Sequence, residues 1–164
     1  MQDKELRLII GGVEIKTWDS ASIDSAIDTP AESWSFALFS EEDLALPDSV
    51  KAGAKVQAFY GDELILTSVA DAVNEACDRS GYGLKISGRD LVGQLIDCSV
   101  PIFNGRQVNL DVLLSKYVLD GELKSLFSNV KIQNDAWLKN KISVEPGASL
   151  WDASAKAAMV TGQH

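Results

Sequence analysis

Alternation of apolar and polar residues governs the first two-thirds of the chain. In ELRLII the apolar positions are Leu6, Leu8 and Ile10, and in VEIKTW they are Val13 and Ile15, with Trp18 following. Gly11-Gly12 between these runs is a two-residue hairpin signal, because such turns take positive φ at both central positions. WSFALF places Trp34, Phe36 and Leu38 on one face of a strand, and SEEDLALPDSVKAG is a polar connection punctuated by Pro47 and Gly53. KVQAFY reads as a strand, GDE as a tight turn, and LILTSVADAVNEAC as one long strand or a bent one. Ser80-Gly81 turns the chain back into YGLKIS. In ASIDSAID the spacing of Ile23 and Ile27 suits either a helix or a strand. Short strands joined by turns predict a small barrel or a sandwich.

After Gly88 the period changes. RDLVGQLIDC has helical spacing, and Pro101 and Asn104-Gly105 punctuate the stretch after it. In NLDVLLSKYVLD, Leu110, Leu113, Leu114, Tyr117 and Val118 recur at helical intervals, with Asn109 placed to cap the start and Gly121 past the end. VKIQN and NKISVEP read as short strands. Ser149 is placed to cap a last helix, LWDASAKAAMVTG, with Leu150, Trp151, Ala155 and Ala158 inward and Gly162 closing it. The expected fold class is α+β, mainly β: a small β-barrel domain over residues 1–100, then a mixed helix and strand region over 101–164. A helix closed by glycine ordinarily leads into another element. The second unit is therefore expected to be incomplete, and the chain a piece of a longer protein.

Composition narrows the function. At 164 residues and 46% hydrophobic, the chain can bury one real core or two small ones, which excludes general disorder. The formal net charge of −9 is uneven: residues 1–88 hold 16 acidic side chains against 7 basic, and residues 89–164 hold 8 of each. No basic patch stands out, so specific nucleic-acid binding is not expected and an anionic membrane surface is disfavoured. No run reaches the roughly 18–20 apolar residues of a membrane span, and MQDKELRL lacks the apolar core of a secretory signal. Cys77 and Cys98 form no CxxC; they read as free thiols in a reducing compartment, with a disulfide as the alternative. The single histidine, His164, is the last residue, which argues against a histidine triad or zinc centre.

Each candidate for chemistry has a plainer reading. SGRD lacks the glycines and the terminal Gly-Lys-Ser/Thr of a phosphate loop. There Gly88 reads as permitting a turn, and Arg89 and Asp90 as a helix start whose carboxylate satisfies open N–H groups. Glu41, Glu42, Asp43 and Asp48 could hold a hard cation, but they lack the alternation of a calcium loop and read as a solvated loop. Trp18, Trp34, Trp137 and Trp151 could stack sugars, but their positions read as core. No catalytic, cofactor-binding or metal-binding residue is assigned, and no cofactor is expected. VEPGASLWDASAKAAMVTG resembles the first half of a LysM peptidoglycan-binding module, through Gly147, Ser149, Leu150, Trp151, Ala155 and Lys156. The second half of that module has no counterpart here.

The order of five segments is similar to the N-terminal part of the baseplate hub proteins of contractile-tailed phages, the Mu-like tail protein P family. The segments are LRLIIGGVEIKTW, WSFALF, VKAGAKVQAFYGDELILTSVADAV, LKISGRDLVGQLIDCSV and ISVEPGASLWDASAKAA. The fourth is the most specific, and Thr67-Ser68-Val69 departs from the family's usual Thr-Gly-Tyr. The resemblance implies a structural, non-enzymatic component of the virion tail baseplate, made in the host cytoplasm. It also implies a homotrimeric hub that joins the tail tube to the spike, without membrane insertion. The acidic N-terminal half then faces a basic partner, or lines a channel past which DNA moves without adhering, with Asp24, Asp28 and Glu32 as lumen candidates. The competing class is a LysM-like cell-wall module, which predicts retention on peptidoglycan through Trp151.

Overall fold

A computed structural model describes residues 5–26, 29–41, 46–100, 108–127 and 142–160. Asp28, Glu42, Asp43, Trp137, His164, the VKIQN strand, Gly162 and the Pro101 and Asn104-Gly105 breaks lie outside them. The chain divides into two compact units, Met1–Gly93 and Gln94–His164.

The first unit is one antiparallel sheet of seven strands, curled into a half-barrel, so the chain is mainly β as expected. The strands are β1 Leu6–Ile10, β2 Val13–Ile15, β3 Ser20–Ile23, β4 Ser33–Ser40, β5 Lys55–Tyr60, β6 Glu63–Asp78 and β7 Gly81–Asp90. Their order across the sheet is β2-β1-β5-β6-β7-β4-β3. Gly11 and Gly12, at φ 55° and 84°, make the two-residue turn between Ile10 and its partner Val13. Gly61, at φ 62°, and Asp62 make another two-residue turn, from β5 into β6 between Tyr60 and Glu63, with positive φ at the glycine alone. Of ASIDSAID only the first three residues are strand: Ala21 and Ile23 lie opposite Phe36 and Trp34 of β4, residues 24–26 are irregular, and Ile27 lies outside the described residues. VEIKTW keeps only three residues in β2, and Trp18 lies beyond it with its ring edge-on to Phe36 at 5.0 Å.

One face of the sheet builds the core: Leu8, Ile10, Trp34, Phe36, Val56, Ala58, Tyr82, Leu84 and Ile86 are buried. Val50 joins them from the connection before β5, where its N–H donates to the Pro47 carbonyl at 2.9 Å. That connection is therefore less polar in effect than its composition suggests. β6 is long because it serves two neighbours. Glu63–Val69 pair with β5, and Ser68–Asp78 pair with β7. Two bulges adjust it: Ile65 is the extra residue against β5, and Asp71 the extra residue against β7.

The regular structure in the described part of the second unit is helical, including a 3-10 turn at Glu122–Ser125, apart from two isolated bridges, Ser99 to Ser149 and Val108 to Ile142. Its helices are α1 Val92–Asp97, which begins at the end of the first unit, α2 Leu110–Val112 and α3 Leu150–Met159. Asn109 accepts from the Val112 N–H at 2.9 Å, as its position predicts, and α2 widens into a π-helical segment, Leu113–Leu119. The strand expected over NKISVEP is a single bridge at Ile142 in the described residues. Pro146 and the positive-φ Gly147 turn the chain away before a ladder can extend. Ser149 caps α3 by accepting from Asp152 N–H at 2.9 Å. The buried face of α3 is Leu150, Ala153 and Ala157, packed with Leu110 and Leu113. Trp151, Ala155 and Ala158, expected inward, are half-buried. Close helix contact selects the small side chains at i and i+4, and a bulky indole fits better at their flank.

Candidate assembly surface

The corner that SGRD builds is architecture. β7 runs through Gly88 to Asp90, whose carboxylate accepts from Val92 N–H at 2.9 Å and from Gly93 N–H at 3.4 Å. That is the cap expected of Asp90. Arg89 turns back to Asp71, with Nε 2.9 Å from Oδ2, and so braces the β6 bulge. Gly88, expected to permit a turn, sits instead inside β7 and is buried. A Cβ there would lie 2.7 Å from Trp34 Cζ2 and 2.7 Å from the Val69 carbonyl oxygen. Its absent side chain lets the Trp34 indole lie on the strand. Trp34 Nε1 donates to Ser68 Oγ at 2.9 Å, and the Ser68 hydroxyl donates to the Arg89 carbonyl. Ser68 is the buried polar residue among those described, and this pairing removes its desolvation cost.

The surface with the character of an interface is the β5–β6 hairpin. Tyr60, Leu64 and Ile65 are each more than 40% exposed, a density of large apolar side chains that marks contact surfaces. The Ile65 bulge breaks alternation here and puts consecutive apolar side chains in solvent. Beside them, Arg7 lies over the Phe59 ring at 5.1 Å and bonds the Gly61 carbonyl and Glu14, each at 2.9 Å. The hydrogen bond from Arg7 holds the Glu14 carboxyl below the usual glutamate range, and Lys16 adds to it. This clasp ties β2, β1 and the hairpin together. Exposed Glu5, Asp62 and Glu63 rim the apolar patch.

The other sequence candidates are dispersed. Asp24 and Glu32 lie in the β3–β4 connection with separate partners: Ser33 Oγ donates to Asp24 at 2.8 Å, and the Ala26 N–H donates to Glu32. Ser22, Ser33, Ser35 and Ser87, with Lys85, form a shallow polar face beside Asp24. Glu41 and Asp48 are exposed, and no group of metal-ligating side chains occurs among the described residues. Cys77 is exposed, Cys98 is half-buried, and neither is in a disulfide. Trp34 is core, while Trp18 and Trp151 are half-buried. Sequence reading missed the hairpin patch. Its signal was YGDELIL, where Tyr60, Leu64 and Ile65 surround a two-residue turn out of step with strand alternation.

Comparison with known proteins defines the class as a phage-tail structural protein. Residues 5–90 match the family described as Mu phage baseplate assembly protein GpP-like, N-terminal, and the chain belongs to that family. The matched stretch is the half-barrel itself. The chain is similar to the tail protein from Neisseria meningitidis MC58, with a TM-score of 0.70 and 25% identity, over 94% of this chain and 45% of that one. It also shares its fold with the 43 kDa tail protein of prophage MuSo2 from Shewanella oneidensis, with a TM-score of 0.81 and 20% identity, over 99% of this chain and 52% of that one. The chain thus spans about half the length of these relatives. No match is found among curated proteins. No helix among the described residues is long and apolar enough to cross a membrane.

Proposed function

We propose that this chain is the N-terminal part of a baseplate hub subunit. Three copies surround the tail axis and join the tail tube to the spike. The role is structural, without catalysis, without specific nucleic-acid binding and without membrane insertion. The observation that carries this reading is the family match across the whole half-barrel, residues 5–90. The exposed Tyr60, Leu64 and Ile65 support it, because a closed ring needs a repeated heterologous contact and apolar side chains supply its affinity.

Light scattering behind size exclusion, over a range of chain concentrations, tests the reading. A mass of three chains, lost in the double variant Leu64→Asp, Ile65→Asp, is the expected result. A mass held at one or two chains throughout overturns the placement of trimer contacts in this half of the protein. Retention of the chain on purified peptidoglycan, abolished by Trp151→Ala, would overturn the hub reading in favour of a cell-wall module.

A further inference from the structure

The helix after Asn109 changes its winding inside one apolar stripe. It starts as α, with the Leu113 N–H donating to the Asn109 carbonyl four residues back at 3.2 Å. It ends as π, with the Asp120 N–H donating to the Ser115 carbonyl five residues back at 3.0 Å. π-Helical winding ordinarily occurs as single-turn bulges in α-helices, frequently at functional sites. Here seven residues, Leu113–Leu119, are wound this way.

The sequence of this stretch fits an α-helix. At about 100° per residue, Leu110, Leu114 and Tyr117 fall within about 60° of one another, at the centre of the stripe, with Leu113 and Val118 at its margins. The structure inverts that ranking. Leu113 and Val118, five residues apart, are fully buried, while Leu114 and Tyr117 are half-buried. Lys116 is exposed, and its Nζ lies 5.3 Å from the centre of the Tyr117 ring.

Two local features hold the wide winding. Ser115 Oγ donates to the Asp111 carbonyl at 2.6 Å, the oxygen that the Ser115 N–H takes in an α-helix. Gly121 ends the segment without a side chain: a Cβ there would collide with the Tyr117 carbonyl, 2.9 Å from its carbon. The φ of Gly121, −90°, is open to any residue, so the glycine answers to that close approach rather than to backbone freedom.

We infer that Leu110–Leu119 is a two-state switch. In the π form described above, Leu113 and Val118 fill the interior, and Tyr117 stands with Lys116 nearer the surface. In the other form, a continuous α-helix, Tyr117 and Leu114 turn inward and Val118 moves to the margin. The apolar pattern favours the α form, and the Ser115 and Gly121 contacts favour the π form. A contact that Tyr117 and Lys116 make in only one form therefore shifts the balance. The inference concerns the second unit and stands independently of the hub reading, which rests on residues 5–90.

The test uses the 164-residue chain labelled with 3-fluorotyrosine, with the Tyr117 fluorine resonance assigned by Tyr117→Phe. The change of that resonance between H2O and D2O reads the exposure of the ring. Gly121→Ala bars the π form by its collision with the Tyr117 carbonyl. Ser115→Ala removes the hydroxyl bond and supplies the best helix former. Each is expected to reduce the Tyr117 solvent effect at least about twofold, with Tyr60 and Tyr82 unmoved. Fluorine relaxation dispersion of the unsubstituted chain is expected to show exchange at Tyr117 that both variants suppress. An unchanged Tyr117 solvent effect in the folded Ser115→Ala chain overturns the switch. Absence of exchange at Tyr117 in the unsubstituted chain overturns it as well. Loss of amide protection in α3 of Gly121→Ala also does so, because the α form is then out of reach and Gly121 serves packing alone.

Discussion

At the scale of single residues, the buried corner around Trp34 sets the tightest constraints. Gly88→Ala places a Cβ within 2.7 Å of both the indole and the Val69 carbonyl, and neither can retreat from a paired strand. Overpacking of this kind costs about 1–3 kcal/mol. Urea unfolding followed by tryptophan fluorescence is expected to show a loss at the upper end of that range. Ser68→Ala takes one of two acceptors from the indole N–H, leaving the Arg89 carbonyl at 3.3 Å, and a smaller loss of about 1 kcal/mol is expected in the same assay. Sequence alone identified Asp90 as a cap, because a cap is local: the carboxylate and its N–H partners lie within three residues. It gave Gly88 a turn because the reason for that glycine, Trp34, is far away in the chain. Glu14 offers a titration check. Its folded pKa lies below the unfolded value, chiefly through the Arg7 hydrogen bond. Its contribution is therefore present above the unfolded pKa and lost as pH falls through the folded one. Arg7→Gln is expected to move the Glu14 pKa back up toward the ordinary range, as read by carboxyl chemical shifts.

At the scale of elements, hairpins were legible and deviations from regularity were not. Gly11-Gly12 and Gly61-Asp62 announce their turns in two adjacent residues. The bulges at Ile65 and Asp71 are invisible to an alternation count, because each slips the pattern by one residue only relative to a partner strand. LILTSVADAVNEAC therefore read as one strand or a bent one, and it is one strand with two offsets. The caps of the helices carry a further prediction. Asp90→Ala frees the Val92 and Gly93 N–H groups at the start of α1, a helix of only six residues. Caps contribute about 1 kcal/mol, and a short helix has few other bonds to hold its first turn. Amide exchange in Val92–Asp97 is expected to accelerate about fivefold, while β1 through β6 stay unchanged. Asp90→Asn retains the acceptor and is expected to restore most of the protection.

At the scale of the whole molecule, charge divides as the cores do. The buried cluster around Phe36 and Ile86 and the one around Leu113 and Ala157 share no residue. Residues 1–93 carry 17 acidic and 8 basic side chains, whereas residues 94–164 carry 7 of each, so the full charge of −9 belongs to the first unit. Like charges held on one curled sheet repel, and that repulsion is relieved when the unit unfolds. Salt screens it: the Debye length falls from about 20 Å near 20 mM to about 4 Å near 500 mM. Salt also weakens attraction, here the pairs Arg7–Glu14, Lys16–Glu14 and Arg89–Asp71. These are surface pairs worth little each, and they are outnumbered by the unmatched carboxylates. The first unit is therefore expected to gain stability across that range, with its melting midpoint rising by several degrees, and the charge-balanced second unit to move less. Exchange-resolved thermal unfolding separates the two, by following Leu84–Ser87 in one and Leu113–Val118 in the other. A fall in the first unit's midpoint with salt would mean that its ion pairs, above all the clasp of Arg7 and Glu14 beside the β5–β6 hairpin, outweigh the repulsion of the whole sheet.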